Sequence, residues 1–459
     1  MSRRRALGRS VLARLLAPSE LITSKEECEA YGGDQWFASA LPDAVVFPKN
    51  TDTVSRVLSY AHRRRIPVTT RGAGYGYVGG CVPLKGGIVV CTERMKRIKE
   101  INENDFVGVV EPGVITADFQ ARAEKKGLYY PPDPASRADC SLGGNIATNA
   151  GGPRCLKYGV TRDYVLGLEV VLADGTVARL GGRCHKNKTG FDLHRLFVGS
   201  EGLLGVVTEA TLKLIPKPPF RACLSIGFSS MAAAAHAIRA VFAHGFLPSA
   251  LEVADEFTLA AGARRTKSKL FEGCRAHLII ELDGHENAVV SDLQELQGWL
   301  DQEAPVFVRK GLGESGCEAI WKVRREFSFA LRDTGLTKLN QDVVVPRGRL
   351  EELFSFGARL QRKYGIQVAC FGHAGDGNIH VNIMVDRSDS KQVARCDRMV
   401  DELFRQVLKW KGSVTGEHGI GVARLPWWDQ AVTRSADRLH RQLKAAVDPR
   451  KILNPGKFA

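Results

Sequence analysis

Two short segments in the second half of the chain gather residues able to do acid–base or metal chemistry. Phe371-Gly372-His373-Ala374-Gly375-Asp376-Gly377-Asn378-Ile379-His380-Val381-Asn382 carries two histidines on either side of a Gly/Asp turn. Asn378, His380 and Asn382 alternate along an expected strand, so their side chains share one face. Thr415-Gly416-Glu417-His418-Gly419-Ile420-Gly421 adds a carboxylate and a further imidazole. Two histidines and a carboxylate suit a divalent metal with open positions, and His418 is then left to act as a base. The alternative is a glycine-rich loop that carries surface charge.

Glycine loops form the second group. Arg71-Gly72-Ala73-Gly74-Tyr75-Gly76-Tyr77-Val78-Gly79-Gly80 follows an expected strand. Glycine tolerates positive φ and lets backbone N–H groups approach a phosphate closely. Gly72, Gly74 and then Tyr77 miss the Gly-x-Gly-x-x-Gly spacing, so a nicotinamide-binding fold is not expected. Taken alone, the loop reads equally well as a tight turn. A second loop runs from Pro131-Pro132-Asp133-Pro134-Ala135-Ser136 into Ser141-Leu142-Gly143-Gly144-Asn145-Ile146-Ala147-Thr148-Asn149. A third, Gly199-Ser200-Glu201-Gly202-Leu203-Leu204-Gly205, precedes Val206-Val207-Thr208. Small residues with amide and hydroxyl groups line a flat ring and its phosphates without steric intrusion. Three such loops in one domain exceed what turns alone require.

In order, the loops read Pro-x-x-x-Arg-Gly, Gly-Gly-Asn-x-x-x-Asn and Gly-Ser-Glu-Gly-x-x-Gly. This pattern resembles the FAD-linked oxidases of the vanillyl-alcohol oxidase, or PCMH-type, fold, over a stretch from about Leu41 to the C-terminus. The resemblance implies that Arg71, Gly72, Gly74, Tyr75, Gly76, Asp133, Ser136, Ser141, Gly144, Asn145, Glu201, Gly205 and Val206 hold FAD. Some members attach the flavin to a histidine of the first loop. No histidine stands there in this chain, which implies a non-covalent flavin.

The histidine segments resemble one subgroup of that family, the glycolate oxidase flavoprotein subunit with the D-lactate and D-2-hydroxyglutarate dehydrogenases. This implies that His373, His380 and Glu417 ligate a divalent metal, zinc or manganese, with His418 as the base. Trp321-Lys322-Val323-Arg324 resembles the segment whose arginine grips the substrate carboxylate, and Asn382 matches a substrate-contacting asparagine. The implied reaction converts a small D-2-hydroxy acid to its 2-oxo acid by hydride transfer to the flavin. Where the 2-hydroxyglutarate enzymes have a lysine this chain has Asn340, which favours glycolate or D-lactate over a dicarboxylate. Two rival readings are a metal-dependent hydrolase with purely structural glycine loops, and a non-catalytic flavoprotein subunit.

These residues have to be positioned by 459 residues, too many for one core. The sequence pattern predicts an α+β protein: an N-terminal helical segment (1–40), a PCMH-type FAD-binding domain (41–216), a substrate or cap domain (217–412) and a short segment (413–459) that packs back to complete the site. Strands are expected at Ala44–Phe47, Pro67–Thr70, Gly87–Cys91, Val107–Val110, Val165–Leu172 and Gly205–Leu214, with Pro216-Lys217-Pro218-Pro219 as the boundary. Beyond it, strands and helices alternate in a manner that predicts a sheet with helices on one face.

The net charge of +15 admits nucleic acid, an anionic membrane face or anionic substrates. The first residues hold a dense basic cluster, Arg3-Arg4-Arg5, but no basic helix is interleaved with aromatics, so nucleic-acid binding is not expected. No apolar run reaches membrane-spanning length, which leaves peripheral membrane association open. The eleven cysteines contain no Cys-x-x-Cys pair, so no iron–sulfur relay is expected. The reduced flavin then needs an outside acceptor: a quinone, a cytochrome, an electron-transfer flavoprotein or iron–sulfur subunits. Free thiols imply a cytoplasmic location, at the inner face of the membrane if the association is peripheral. If the Arg-rich residues 1–18 are a presequence, the location is mitochondrial.

Overall fold

The computed structural model describes residues 9–459, so the Arg3-Arg4-Arg5 cluster lies outside the described residues. The chain divides into two units. One comprises the residues up to Gly151, Val160–Lys217 and Glu417–Ala459; the other comprises Gly152–Gly159 and Pro218–Gly416.

In the first unit, strands β1 (Leu21–Ile22), β2 (Ala44–Val46), β3 (Val68–Arg71) and β4 (Ile88–Cys91) form a sheet in the order β1-β2-β4-β3. β2 and β3 both run parallel to β4. The helix Thr51–Arg64 follows β2; the Asn50 side chain caps it by accepting from Thr53 N at 2.9 Å, and Arg65 ends it at φ 53°. Its buried positions Val54, Val57, Leu58 and Ala61 recur at helical spacing and pack with Val68, Ile88 and Val90. Burial of each larger aliphatic is worth roughly 1.5–3 kcal/mol. Ile452 and Leu453 join the same core. Val68 N donates to Ile452 O at 2.8 Å and Asn454 N to Val68 O at 2.7 Å.

The second sheet of this unit contains β5 (Ile98–Asn102), β6 (Val107–Val110), β8 (Val165–Val171), β9 (Val177–Gly181) and β10 (Val206–Lys213), in the order β5-β6-β10-β8-β9. β10 alternates buried and half-buried residues, as a strand covered on one face should. A small ribbon pairs β7 (Leu128–Tyr129) with β11 (Ile215–Pro216).

The second unit is built on seven antiparallel strands: β12 (Phe220–Phe228), β13 (Ala250–Asp255), β14 (Ala276–Gly284), β15 (Phe307–Leu312), β16 (Thr337–Val344), β17 (Gln367–His373) and β18 (Asn378–Val385). Their order is β15-β12-β14-β13-β17-β18-β16. Helices cover both faces, not the single face expected from sequence. Phe327 of the helix Gly313–Arg332 packs with Ala369 and Phe371 of β17. Gly357 of the helix Leu350–Tyr364 lies against Val368 and Cys370, which point the opposite way. The faces differ in chemistry: the one carrying Ala369 and Phe371 also carries Glu252, Glu281, Asp342, His373 and His380, as the strand register requires. β13 had no counterpart in the sequence pattern because Glu252 interrupts its apolar run.

Gly152–Gly159 departs from the linear division of the chain. It leaves the first unit and is fastened to the second by Arg154, Lys157 and Tyr158. Arg154 Nε and Nη2 reach Glu281 at 2.9 and 3.1 Å, while Lys157 Nζ and Tyr158 Oη reach Asp283 at 2.5 and 2.7 Å.

Candidate active site

Within the first unit the three glycine loops are tied together. Ser141 caps the helix Leu142–Thr148, its Oγ accepting from Gly144 N at 3.4 Å and from Ala73 N of the first loop at 3.3 Å. A Cβ on Gly72 would lie 2.5 Å from that oxygen, so the approach of the two loops requires glycine. Gly199 N and Glu201 N of the third loop donate to Ile146 O and Ala147 O, each at 2.8 Å. Among the described residues, the backbone N–H groups of 74–77 have no protein acceptor, and Gly74 sits at φ 76°. A run of unfilled amides on a left-handed turn is a concave donor surface for a phosphate.

Other residues expected at the flavin act as struts. Arg71 turns its guanidinium to Gly33 O and lies 3.4 Å from Cys81 Sγ. Asn145 Nδ2 donates to Thr116 Oγ1 at 2.6 Å. Asp133 is buried, and the Ser136 carbonyl accepts from Asp139 N and Cys140 N at 2.8 Å. Tyr75 is exposed, and its hydroxyl bonds Asp139, which raises the phenol pKa. Gly205 lies under Phe197, and Val206 opens β10.

Glu201, at φ 49°, is buried and accepts from Ile420 N at 2.7 Å and Gly421 N at 2.8 Å. Burial raises its carboxyl pKa even against those two amides. Asn454 Nδ2 donates to Gly80 O at 2.9 Å and to Glu201 O at 2.7 Å. The 417–421 stretch is thereby fixed on the third loop, and the His418 ring stacks on Tyr77 of the first, with centroids 5.3 Å apart.

In the second unit, the antiparallel register sets Glu252 opposite His373, His373 opposite Asn378, and His380 opposite both Phe371 and Asp342. Directly opposed residues share a face. His373 Nδ1 meets Glu252 Oε1 at 2.5 Å, and His380 Nδ1 lies 3.7 Å from Asp342 Oδ1. The two imidazole centroids are 5.7 Å apart. Burial alone would raise the Glu252 carboxyl, but His373 and Arg324 outweigh it and hold it at about 2. Arg324 Nε reaches the other oxygen of Glu252 at 2.7 Å, and its guanidinium lies over Phe371. Asp342, fully buried, accepts from Asn378 Nδ2 at 2.8 Å, Gly416 N at 2.9 Å and Thr415 Oγ1 at 3.2 Å. Asn382 spends its amide N–H groups on Ala369 O and His380 O, which leaves its buried Oδ1 without a partner among the described residues. Asn340 stands opposite Asn382.

A carboxylate bonded to Nδ1, as Glu252 is to His373, is how metal-binding histidines are oriented, while the Asp342 carboxylate lies beyond hydrogen-bond distance of His380 Nδ1, at 3.7 Å. The donor set therefore fits a divalent cation, and the amides of 74–77 fit a pyrophosphate.

Residues 217–458 match the family model described as FAD linked oxidases, C-terminal domain. The chain belongs to the FAD-linked oxidase family. Residues 42–181 match the model described as FAD binding domain. Among relatives, the chain is 40% identical over 419 residues to the glycolate oxidase subunit GlcD of Bacillus subtilis (91% of this chain, 89% of the relative). It is 36% identical to GlcD of Escherichia coli K12 (95% and 88%) and 32% identical to the D-lactate dehydrogenase of Anaerostipes hadrus (96% and 95%). In fold it is similar to the 4-ethylphenol oxidase of Gulosibacter chungangensis, with TM-score 0.79 at 20% identity (98% and 96%). It is similar also to p-cresol methylhydroxylase, with TM-score 0.78 at 19% identity (97% and 95%). These confirm an FAD-linked oxidoreductase of α+β, PCMH-type architecture.

Sequence reasoning missed Glu252, Asp342 and Glu281, three buried carboxylates on one face of the second unit's sheet in this FAD-linked oxidase. Glu252 and Glu281 each interrupt an apolar run, Ala250–Ala254 and Leu278–Leu282, and that interruption is the signal that could have found them; Asp342, in the mainly polar strand Thr337–Val344, carried no such signal.

Proposed function

We propose that this chain oxidises a small D-2-hydroxy acid, glycolate or D-lactate, to the corresponding 2-oxo acid. When bound, FAD accepts the hydride, and a divalent ion, zinc or manganese, supplies Lewis-acid polarisation of the hydroxyl. His373, His380 and Glu417 would hold the ion. Arg324, kept in place by Glu252, supplies positive charge for the substrate carboxylate, and Asn382 offers an unused oxygen. His418 takes the hydroxyl proton, its ring oriented by Tyr77.

The observation that carries this reading is the pair of buried strand histidines, His373 bonded at Nδ1 to Glu252 and His380 with the Asp342 carboxylate 3.7 Å from its Nδ1, in an FAD-linked oxidase. Relatives named for glycolate and D-lactate support the substrate class, and Asn340 supports a short acid over a dicarboxylate. Reoxidation falls to an external acceptor: a quinone, a cytochrome, an electron-transfer flavoprotein or iron–sulfur subunits. The test is an anaerobic absorbance titration of FAD-loaded protein with D-lactate, L-lactate, glycolate and D-2-hydroxyglutarate, with and without chelator. Bleaching by glycolate or D-lactate that is lost on chelation supports the proposal. Bleaching by none of the four acids overturns it.

A further inference from the structure

Residues 183–193 form an unbroken exposed run between β9 and the short helix Leu193–Phe197. Near the end of this run Phe191 is 89% exposed, with Leu193 at 41% and Leu196 at 43%. Phe197, next along, is buried and anchors the helix to the unit. Leu193 N donates to Phe191 O at 2.8 Å, which folds the tip against the helix start, and the i,i+3 spacing puts Leu193 and Leu196 on one side. A phenylalanine exposed to this degree beside two half-exposed leucines is an apolar patch with no partner among the described residues.

Of the charges in the run, Arg183 is paired with Glu100 and Asp105, which leaves the lysines nearer the patch. Lys186 and Lys188 have no ion-pair partner among the described residues. Asp192, the only acid of the run, is engaged by His194 Nδ1 at 3.0 Å and Arg195 Nε at 3.5 Å. A surface that is apolar at its tip and cationic around it matches a surface that is anionic outside and apolar beneath. A bilayer with acidic headgroups has that layering. No described helix is long and apolar enough to cross a membrane, so contact of this kind is peripheral.

We propose that residues 183–196 dock this protein on an anionic lipid surface. Phe191 enters the headgroup–acyl boundary with Leu193 and Leu196 beside it, and Lys186 and Lys188 pair with lipid phosphates. The inference does not depend on the substrate or the metal, and its test needs no turnover.

Full-length FAD-loaded protein is mixed with vesicles of phosphatidylcholine alone, or with about a third phosphatidylglycerol, and the bound fraction is read by flotation. Wild type is expected to bind the anionic vesicles, less so at high salt, and to bind the neutral ones poorly. Phe191→Ser should weaken that binding at least about tenfold, from the lost apolar burial. Lys186→Glu/Lys188→Glu should weaken it by tens-fold on the order of a fivefold loss per lysine. Unchanged flavin absorbance and melting temperature show that the variants are folded. Wild type that fails to bind anionic vesicles, or Phe191→Ser that binds as wild type does, overturns the proposal. So does a loss of self-association in Phe191→Ser with no lipid binding in wild type, which would assign the patch to a second copy of the chain.

Discussion

Asp342→Asn exchanges one buried oxygen for an NH2 and leaves the shape of the side chain unchanged. In the native side chain, Oδ1 accepts from Asn378 Nδ2 and faces His380 Nδ1, while Oδ2 accepts from Gly416 N and Thr415 Oγ1. If the new NH2 replaces Oδ1, it faces the Asn378 amide; if it replaces Oδ2, it faces the Gly416 N–H. Either rotamer sets donor against donor in a buried place, at a cost of about 1–3 kcal/mol. His380 also loses the charge behind Nδ1, and loss of such an orienting partner lowers metal affinity by about 10–100-fold. The measurement is calorimetric titration of zinc or manganese into chelator-stripped, FAD-loaded protein, alongside the flavin spectrum. The expected result is weakened metal binding with unchanged flavin. Metal affinity within about twofold of wild type, together with an unchanged melting temperature, would refute the orienting role of Asp342.

Glu281→Gln removes the charge that faces Arg154, Arg221 and Trp321 Nε1. Denaturant unfolding at pH 7 should show a loss of about 3–5 kcal/mol, whereas the charge-free triple Arg154→Met/Arg221→Met/Glu281→Leu should be far closer to wild type. Burial tends to raise the Glu281 carboxyl, but the two arginines outweigh it and lower its pKa. Its contribution is therefore present above the ordinary carboxylate range and lost as pH falls through the lowered value. Lys457 is pushed down by burial to about 8 from 10.5. Between those values the unfolded state binds more protons, so stability should rise with pH across that window, by at most about 3 kcal/mol, and Lys457→Met should flatten the rise in an unfolding series. His418→Ala should cut flavin reduction by hydroxy acid about 10²–10⁴-fold with the flavin still bound; near-normal reduction would remove His418 from the role of base.

The glycine loops were legible because their chemistry is local: Gly72, Ser141, Gly144 and Glu201 act on neighbours through backbone positions that the sequence states directly. Asn378, His380 and Asn382 were legible as one face through the period of a single strand, β18, whereas His373 ends the neighbouring strand β17. Their partners were not, because Glu252 and Asp342 come from strands far away in sequence and only the sheet order makes them adjacent. The excursion Gly152–Gly159 was hidden for the same reason, since Arg154 meets Glu281 only after β14 is in place. The expectation of helices on one face failed because an alternating pattern with acids inside an apolar face resembles a half-solvated sheet. Here those acids are satisfied by Arg324, Arg154 and Trp321 from a covering helix and the excursion.

Ile452 and Leu453, with the buried Lys444 that donates to Leu203 O, Leu453 O and Asp448 at 2.7 Å, belong to the core of the first unit, although the whole of β12–β18 precedes them in the chain. On the ribosome, the strands of the second unit therefore emerge and can pair while the first unit still lacks a piece of its interior. The nascent chain can complete its flavin-binding core only after synthesis has passed the second unit, so cofactor capture belongs at the end of biogenesis. A chain truncated before residue 444 would leave an open core exposed to chaperones and proteases, instead of yielding a smaller flavoprotein.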